Sequence, residues 1–439
     1  MADRKVAVIG AGLAGMAAAL SAQAAGAEVI LINMGPGATA FCSGGLDLAG
    51  DPCPPDNRPD AVGRDVAHNL ARLIVQRPDH PYALLATDAD KPEAGALSLI
   101  RAGLQLLFPA DGRVRLEGSP DQNQPCFTAL GTLKFTALFP GSTARPGAEG
   151  MDRPLALGIR GLADFSPATW VRVAEDNAGR IGLGMAGRTG WLCLDHDHDR
   201  QSPALAAAIA RDPEAFVAAV ASAAAAHPEA SALVLPPVLP AGVRSDLIRR
   251  LEEASGRPLY ECLSLPPSVP GLRLTEHLEA RGRQGGIETV AGRVVGFTAK
   301  DGRITGLQVS DPNGTRTVAA DAVILASGKF LGGGLEKLRS FRETVFDLPV
   351  FLAGAAAGEV FIEKTVDLHV TGPHPLFAAG VKSDRELRPA GRDGTAAFAN
   401  LFAAGAVLAG HNYLRDGTGA GVALATGVRA GRNAAESVP

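Results

Sequence analysis

The chain opens on residues able to hold a phosphate. Gly10, Gly12 and Gly15 form a GxGxxG turn, with Ala11, Leu13 and Ala14 between the glycines. The first glycine permits a tight turn, the second lets backbone approach a pyrophosphate, and the third lets a helix pack on the preceding strand. That strand, Val6 to Ile9, is short, apolar and β-branched, so it reads as buried and parallel. The Ala-rich helix runs to about Ala25 and stops at Gly26. Ala27 to Ile32 reads as the second strand. Such a β-α-β unit aims a helix N-terminus at a phosphate. The acid that normally holds the ribose hydroxyls after the second strand is replaced by Asn33, a weaker partner for a hydroxyl than a carboxylate.

Three later stretches repeat this logic. The loop from Gly35 to Leu48 keeps backbone bare at Gly35, Gly37, Gly44 and Gly45 and offers the hydroxyls of Thr39 and Ser43. It resembles the loop that lies along pyrophosphate and isoalloxazine in flavoproteins of the succinate dehydrogenase type. It holds no histidine, so the flavin that the resemblance implies is noncovalent. A buried strand from Asp321 ends at Ala326, Ser327 and Gly328, where flavoproteins with two dinucleotide-binding halves return past the pyrophosphate. A last strand from Asn400 ends at Gly405 and Ala406. Gly417, Gly419, Ala420 and Gly421 then open a final helix, whose N-terminus suits negative charge. In flavoproteins this end faces the flavin carbonyl edge.

Chemistry in which a substrate hydride passes to a flavin at such a site needs a base for the proton lost with it. The candidate base is His411, beside the last glycine run, followed by His369 and His374. Arg415, between the last strand and the last helix, is similar in context to an arginine that clamps a carboxylate in fumarate reductases and reads either as a clamp for a carboxylate or phosphate or as a solvated residue. Lys329, just after Ser327-Gly328, reads either as a contact to flavin or substrate or as a structural lysine. Lys134, in the alternating stretch Thr128 to Pro140, reads either as a substrate contact or as a solvated lysine. Asp195-His-Asp-His-Asp199 brings two histidines together with carboxylates, but no third ligand of the right type is adjacent. It reads as a polar surface turn, and no metal is assigned.

The elements that must position these residues follow from pattern. Helices are expected over Val62–Gln76, Leu97–Leu107, a segment bearing Trp170, Pro203–His227 with a break at Asp212-Pro213, Ser245–Ser255 and Leu272–Arg281. Leu155–Ile159 reads as a buried strand, Leu233–Leu239 as an edge strand or turn, and Ile287–Gln308 as a hairpin turning at Asp301-Gly302. Asp51–Pro59 is proline-rich and reads as a domain exit. The division expected is a discontinuous nucleotide domain (1–50, 268–335 and 395–439) with an inserted substrate- or partner-binding cap (51–267 and 336–394). The fold class is α/β, a Rossmann-like flavoprotein fold with an inserted α+β middle domain. A net charge of −4 leaves no basic footprint for nucleic acid. Cys42, Cys53, Cys126, Cys193 and Cys262 form no CxxC pair, which fits a reducing compartment and no cluster held by this chain alone. The start, Met1-Ala-Asp-Arg, runs straight into the first strand, so no signal peptide is expected.

Several stretches together resemble one family, the B-type subunits of anaerobic glycerol-3-phosphate dehydrogenase. They are the Gly10–Gly15 turn, Gly37-Ala-Thr-Ala-Phe-Cys-Ser-Gly-Gly-Leu-Asp-Leu48, Ala129-Leu-Gly-Thr-Leu-Lys134 and Gly161-Leu-Ala-Asp-Phe165. Further on come Leu265-Pro-Pro-Ser-Val-Pro-Gly-Leu-Arg-Leu274, Leu325-Ala-Ser-Gly-Lys-Phe330, Gly334-Leu335, Glu343-Thr-Val-Phe-Asp-Leu348 and Asn400-Leu-Phe-Ala-Ala-Gly-Ala-Val-Leu408. Thr418, where the family often has Cys, and the stretch Gly410–Gly417 depart from the family pattern. The resemblance implies a flavoprotein component of a quinone-linked dehydrogenase that oxidises sn-glycerol 3-phosphate to dihydroxyacetone phosphate, or a related hydroxy compound. Its partners would be a second flavoprotein, of A type, and an iron–sulfur protein, of C type, at the cytoplasmic face of the membrane. The family cofactor is FMN, which suits Asn33 because FMN lacks adenosine. The GxGxxG turn, a signature for the ADP part of FAD, keeps FAD as the alternative. Two other readings stand beside it: a non-catalytic flavin-binding or scaffold component, and a dehydrogenase or reductase for a different hydroxy acid.

Overall fold

The apolar run at the N-terminus becomes the centre of the main sheet. In the computed structural model, which describes residues 4–50, 63–109, 114–194, 201–242, 244–352, 355–356, 362–369, 372 and 374–438, strand β1 (Lys5–Ile9) is followed by helix α1 (Leu13–Ala24) and strand β2 (Glu28–Asn33). Three distant segments complete a five-stranded parallel sheet: β3 (Glu288–Ala291), β4 (Ala322–Leu325) and β5 (Leu401–Ala403), in the order β3-β2-β1-β4-β5. Val6 lies opposite Val29 on one side and Ala322 on the other, so β1 is hydrogen-bonded along both edges. Strands buried on both faces need no alternation, which is why these segments read as unbroken apolar runs.

The last helix, α2 (Gly419–Glu436), lies against α1. The contact is close because both surfaces are small. A Cβ on Gly427 would stand 2.5 Å from the Ala14 carbonyl oxygen, and one on Gly431 would stand 2.4 Å from that of Ala18. The Ser21 hydroxyl donates to the Val428 carbonyl at 3.0 Å across the same contact. Chain start and chain end are thereby locked into one core.

A second core surrounds Trp170, which is fully buried. It is built on a four-stranded parallel sheet in the order Leu259–Glu261, Ala232–Leu235, Pro154–Ile159 and Arg188–Leu192. Helices Pro167–Arg180, Ser202–Arg211, Pro213–Ala225 and Arg244–Ser255 accompany these strands. The break at Asp212-Pro213 falls where expected, with Asp212 capping the second helix through the Ala215 N–H. Helices Val66–Gln76 and Pro92–Leu107 contribute instead to the first core.

Several sequence expectations are corrected. Ala232–Leu235 is an internal strand, paired on both sides, because Pro236 and Pro237 fall beyond its ladder rather than within it. Val290 belongs to β3 beside β2, so the hairpin begins only at Arg293. The hairpin turn at Asp301 (φ 50°) and Gly302 (φ 72°) is of the primed kind that matches strand twist. The helix expected from Leu272 starts at Val269, because Ser268 accepts the Gly271 N–H and Pro270 suits the first turn. Asp51–Pro59 and Asp195–Asp199 lie outside the described residues. Among the described residues no group of three or more His, Cys, Asp or Glu could hold a metal ion, and no helix is long and apolar enough to cross a membrane.

The α1–α2 contact leaves no room for a methyl group. Gly431→Ala is expected to destabilise the chain by about 1–3 kcal/mol, through overpacking. Gly179→Ala, in helix Pro167–Arg180 with nothing near its new methyl group, is expected to be neutral or to stabilise by up to about 1 kcal/mol. Urea unfolding of the two variants beside the parent checks both signs.

Candidate functional site

All five strands of the main sheet run parallel, and a cavity of about 860 Å³ opens at their C-terminal ends. This is where open α/β sheets bind ligands. Gly10, Ala11, Gly12, Leu13 and Ala14 form its floor beneath the N-terminus of α1. That helix has no side-chain cap from Gly12 and no acidic residue in its first turn, so its end suits an anion. The Thr39 hydroxyl accepts the Leu13 N–H at 3.2 Å and ties the following loop to the turn.

The glycines divide by function. Gly10 has φ +106°, and a Cβ there would lie 2.4 Å from the Ala326 carbonyl oxygen. A Cβ on Gly15 would lie 1.7 Å from the Gly10 carbonyl oxygen, so this glycine brings α1 onto the turn. Gly12 is different. Its φ of −72° suits any residue, and a Cβ there would meet only Thr39 Oγ1, at 3.1 Å. Its bareness serves the cavity. Gly44, Gly405 and Gly421 do not line the cavity; a Cβ on them would meet Pro270, Ala14 and the Tyr82 hydroxyl, respectively.

The cavity reaches both sides of β1. On the β2–β3 side it is lined by Asn33, Met34, Arg293 and Val294, and on the β4–β5 side by Ala326, Ser327, Gly328 and Ala406. Asn33 Oδ1 accepts the Gly35 N–H at 3.0 Å, so part of its capacity shapes the turn. Thr39, Ser43, Gly45, Gly417, Gly419 and Ala420 line the rest. The N-terminus of α2 offers fewer free donors than expected. The Asp47 carbonyl accepts the N–H groups of Ala420 (3.1 Å) and Gly421 (3.0 Å).

Lys134 lines the cavity from the hairpin of Gln124–Phe127 with Leu133–Thr136. Its ammonium donates to Ser43 Oγ at 2.9 Å and pairs with Asp47 Oδ2 at 2.8 Å. The other Asp47 oxygen is buried without a hydrogen-bond partner among the described residues. Motif spacing does not single out Asp47, although it sits inside the Gly37–Leu48 stretch. A carboxylate among bare glycines is the signal that could have found it.

His411, Tyr413 and Arg415 line the cavity near α2. Both His411 ring nitrogens are buried without a hydrogen-bond partner among the described residues. Burial holds its pKa well below 6.5, aided by the positive charges of Lys329 and Arg77 and by the neighbouring His80 ring, whose protonation would oppose its own. Arg415 is exposed, and its guanidinium makes no hydrogen bond or ion pair among the described residues. Lys329 departs from expectation. It does not line the cavity; its buried ammonium donates to the carbonyls of Phe377 and His411, the latter at 2.8 Å. Burial pushes its pKa down to about 7. His369 and His374 also lie away from the cavity, in a segment where His374 Nδ1 accepts the Asp367 N–H.

A family model described as an FAD binding domain matches residues 5–422. Fold, cavity and match together define a flavin-binding oxidoreductase domain. The chain is 31% identical, over 99% of both chains, to the probable B-type subunit of anaerobic glycerol-3-phosphate dehydrogenase from Halobacterium salinarum. It is 32% identical, over 95% of both chains, to the B-type subunit of anaerobic glycerol-3-phosphate dehydrogenase from Pectobacterium carotovorum. The chain belongs to this family, the B-type subunits of anaerobic glycerol-3-phosphate dehydrogenase. Among solved structures, the open conformation of a flavocytochrome c3 fumarate reductase matches 99% of this chain and 78% of that one, at 12% identity and a TM-score of 0.42. The expectation of FMN finds no support in these matches, because the matched model is one for FAD binding. The site residues fit a flavin: a bare turn, a helix N-terminus with no acidic residue in its first turn, and a cavity lined on both sides of β1.

Gly12→Ala is expected to leave the fold within about 0.5 kcal/mol of the parent while weakening flavin binding by about tenfold or more. Thermal unfolding without flavin and fluorescence titration with flavin separate the two effects. His80, like His411, is buried and held neutral well below 6.5 by burial and nearby cations. The unfolded chain therefore binds more protons than the folded one as pH falls below 6.5, and stability present above that value is lost. Urea midpoints are expected to drop between about pH 7.5 and 5.5, less steeply in His80→Asn.

Proposed function

We propose that this chain is the FAD-binding component of a quinone-linked dehydrogenase that oxidises sn-glycerol 3-phosphate, or a closely related phosphorylated hydroxy compound. The observation that carries the reading is the continuous cavity that joins the α1 N-terminus to the His411–Arg415 segment. Its lining by Asn33, Met34, Arg293 and Val294 supports FAD, since FMN has no adenosine to occupy that side. A bound flavin supplies the two-electron acceptor for the hydride on the hydroxyl-bearing carbon.

The chain's own residues would do the rest. Neutral His411 accepts the hydroxyl proton, a role open to it because its pKa lies below the working pH. Arg415 supplies an exposed fork of donors for a phosphate or carboxylate. Lys134 adds a second cation on the cavity wall, delivered by the inserted region. In this reading residues 51–267 and 336–394 act as a cap over a nucleotide domain of 1–50, 268–335 and 395–439. Electrons would pass to an iron–sulfur partner, alongside a second flavoprotein, with the assembly on the cytoplasmic face of the membrane. The relatives are each named as one subunit of their enzyme, which supports an assembly of several chains.

One observation favours a second reading, a flavin-binding component that relays electrons without touching substrate. The ring nitrogens of His411 are buried, and Lys329 is engaged with backbone carbonyls.

Two measurements on the chain purified with its partners test these readings. Cofactor released from this chain is expected to have the mass of FAD, and the mass of FMN would overturn that part. Anaerobic addition of sn-glycerol 3-phosphate is expected to bleach the flavin of this chain, and His411→Gln to slow the bleaching by about 10²–10⁴-fold. The acid limb of the pH profile is expected well below pH 6.5, the side on which His411 becomes protonated. Unchanged bleaching in His411→Gln would leave the relay reading.

A further inference from the structure

Behind the cavity wall lies a cluster of charged groups, Lys329 and Asp416 buried and Arg77 half-buried, that takes no part in the proposed chemistry. Arg77 comes from just after helix Val66–Gln76, Lys329 from the loop after β4, and Asp416 from the last turn before α2. None of the three lines the cavity. Each takes hold of the backbone on either side of His411. Arg77 Nη2 donates to the Gly410 carbonyl. Lys329 Nζ donates to the His411 carbonyl at 2.8 Å. Asp416 Oδ2 accepts the Asn412 N–H at 3.2 Å. Arg77 Nη1 and Asp416 Oδ1 stand 3.3 Å apart and close the cluster.

We propose that Lys329, Arg77 and Asp416 are positioning residues that pin the Gly410–Asn412 backbone and set the place and charge of the His411 ring at the cavity wall. The inference rests on the reading of His411 as the base. Charged side chains are expensive to bury, and two buried ones with a half-buried third around two consecutive peptide groups need a reason beyond ordinary packing. A loop of three residues satisfied by neutral backbone partners would hold shape equally well. Charged clamps differ in that they also act on the ring they surround. The charged and titratable groups that face His411 are Lys329, His80 and Arg77, with Asp416 opposing them. The ring packs edge-on against His80 at 5.7 Å and against Tyr413 at 6.1 Å between centroids. In the acid range where His411 titrates, Lys329 carries its proton, because its pKa is about 7. Its charge therefore opposes protonation of the ring next to it.

The test is histidine NMR on the full chain with isotope-labelled histidine, the His411 signal being the one lost in His411→Gln. In Lys329→Met the His411 midpoint is expected to rise toward 6.5, by about 1 pH unit or more, since a cation has been removed. Arg77→Gln carries the same test, with a smaller rise, should Lys329→Met fail to fold. A folded variant whose His411 midpoint stays where it is in the parent would overturn the proposal. The pH profile of kcat/KM in the complete complex separates this from the base assignment. An acid limb that moves with the NMR midpoint supports both. A midpoint that rises while the limb stays put supports the positioning role and removes His411 as the base.

Discussion

The close contact of the first and last helices is the constraint from which the site follows. Residues 13–24 and 419–436 lie at opposite ends of the chain, yet α1 and α2 approach until only glycine fits at 427 and 431. Because α2 is held there, its N-terminus stands across from the Gly10–Gly15 turn. The same contact fixes Gly405, whose missing side chain admits Ala14. The Gly405 N–H in turn donates to Thr426 Oγ1 within α2 at 2.8 Å. Cavity floor and cavity wall are thus parts of one tightly packed body, and neither can shift without opening the core.

Charge is arranged on top of this frame in two layers. At the cavity surface stand Lys134, Asp47 and Arg415, with Lys134 bridging its hairpin to the loop that follows β2. Behind the surface stand Asp416, His80 and Lys329, buried among the helices, with half-buried Arg77 beside them. The Tyr82 hydroxyl, which donates to the Leu48 carbonyl at 2.6 Å, joins the cluster to the same loop. The Asp47 carbonyl occupies two of the first N–H groups of α2, so the helix end contributes less positive potential to the cavity than a bare one would. Lys134 brings an explicit cation to that region.

The sheet and helices around Trp170 keep a core of their own, and Glu261 on its edge strand ties that core to the helix leading back to β3. Glu261 accepts from Arg244 at 3.2 Å and from Arg273 at 2.8 Å, and Arg273 sits on the helix that leads back to β3. A charge pair of this kind gives direction rather than bulk adhesion, since its desolvation offsets much of its attraction.

Local pattern alone determined the opening strand–helix–strand unit, the phosphate turn and the buried strands that begin near residues 321 and 400, while the flavin-binding class came with the resemblance of these stretches to known flavoproteins. A four-residue apolar strand, three glycines at fixed spacing and a glycine-led final helix each have one favourable local answer. The helix break at Asp212-Pro213 and the turn at Asp301-Gly302 were legible for the same reason. Tertiary structure decided what depends on partners distant in sequence. Val290 joins β2 rather than the hairpin because an edge of the main sheet needed filling, and Ala232–Leu235 is internal because strands arrive on both sides. Lys329 follows Ser327-Gly328 at the cavity, yet its side chain turns to carbonyls contributed by residues 377 and 411. Arg77 and Asp416, 339 residues apart, meet only when α2 closes on the first core. No spacing rule relates such pairs, because their geometry is set by packing and not by the period of a helix or a strand.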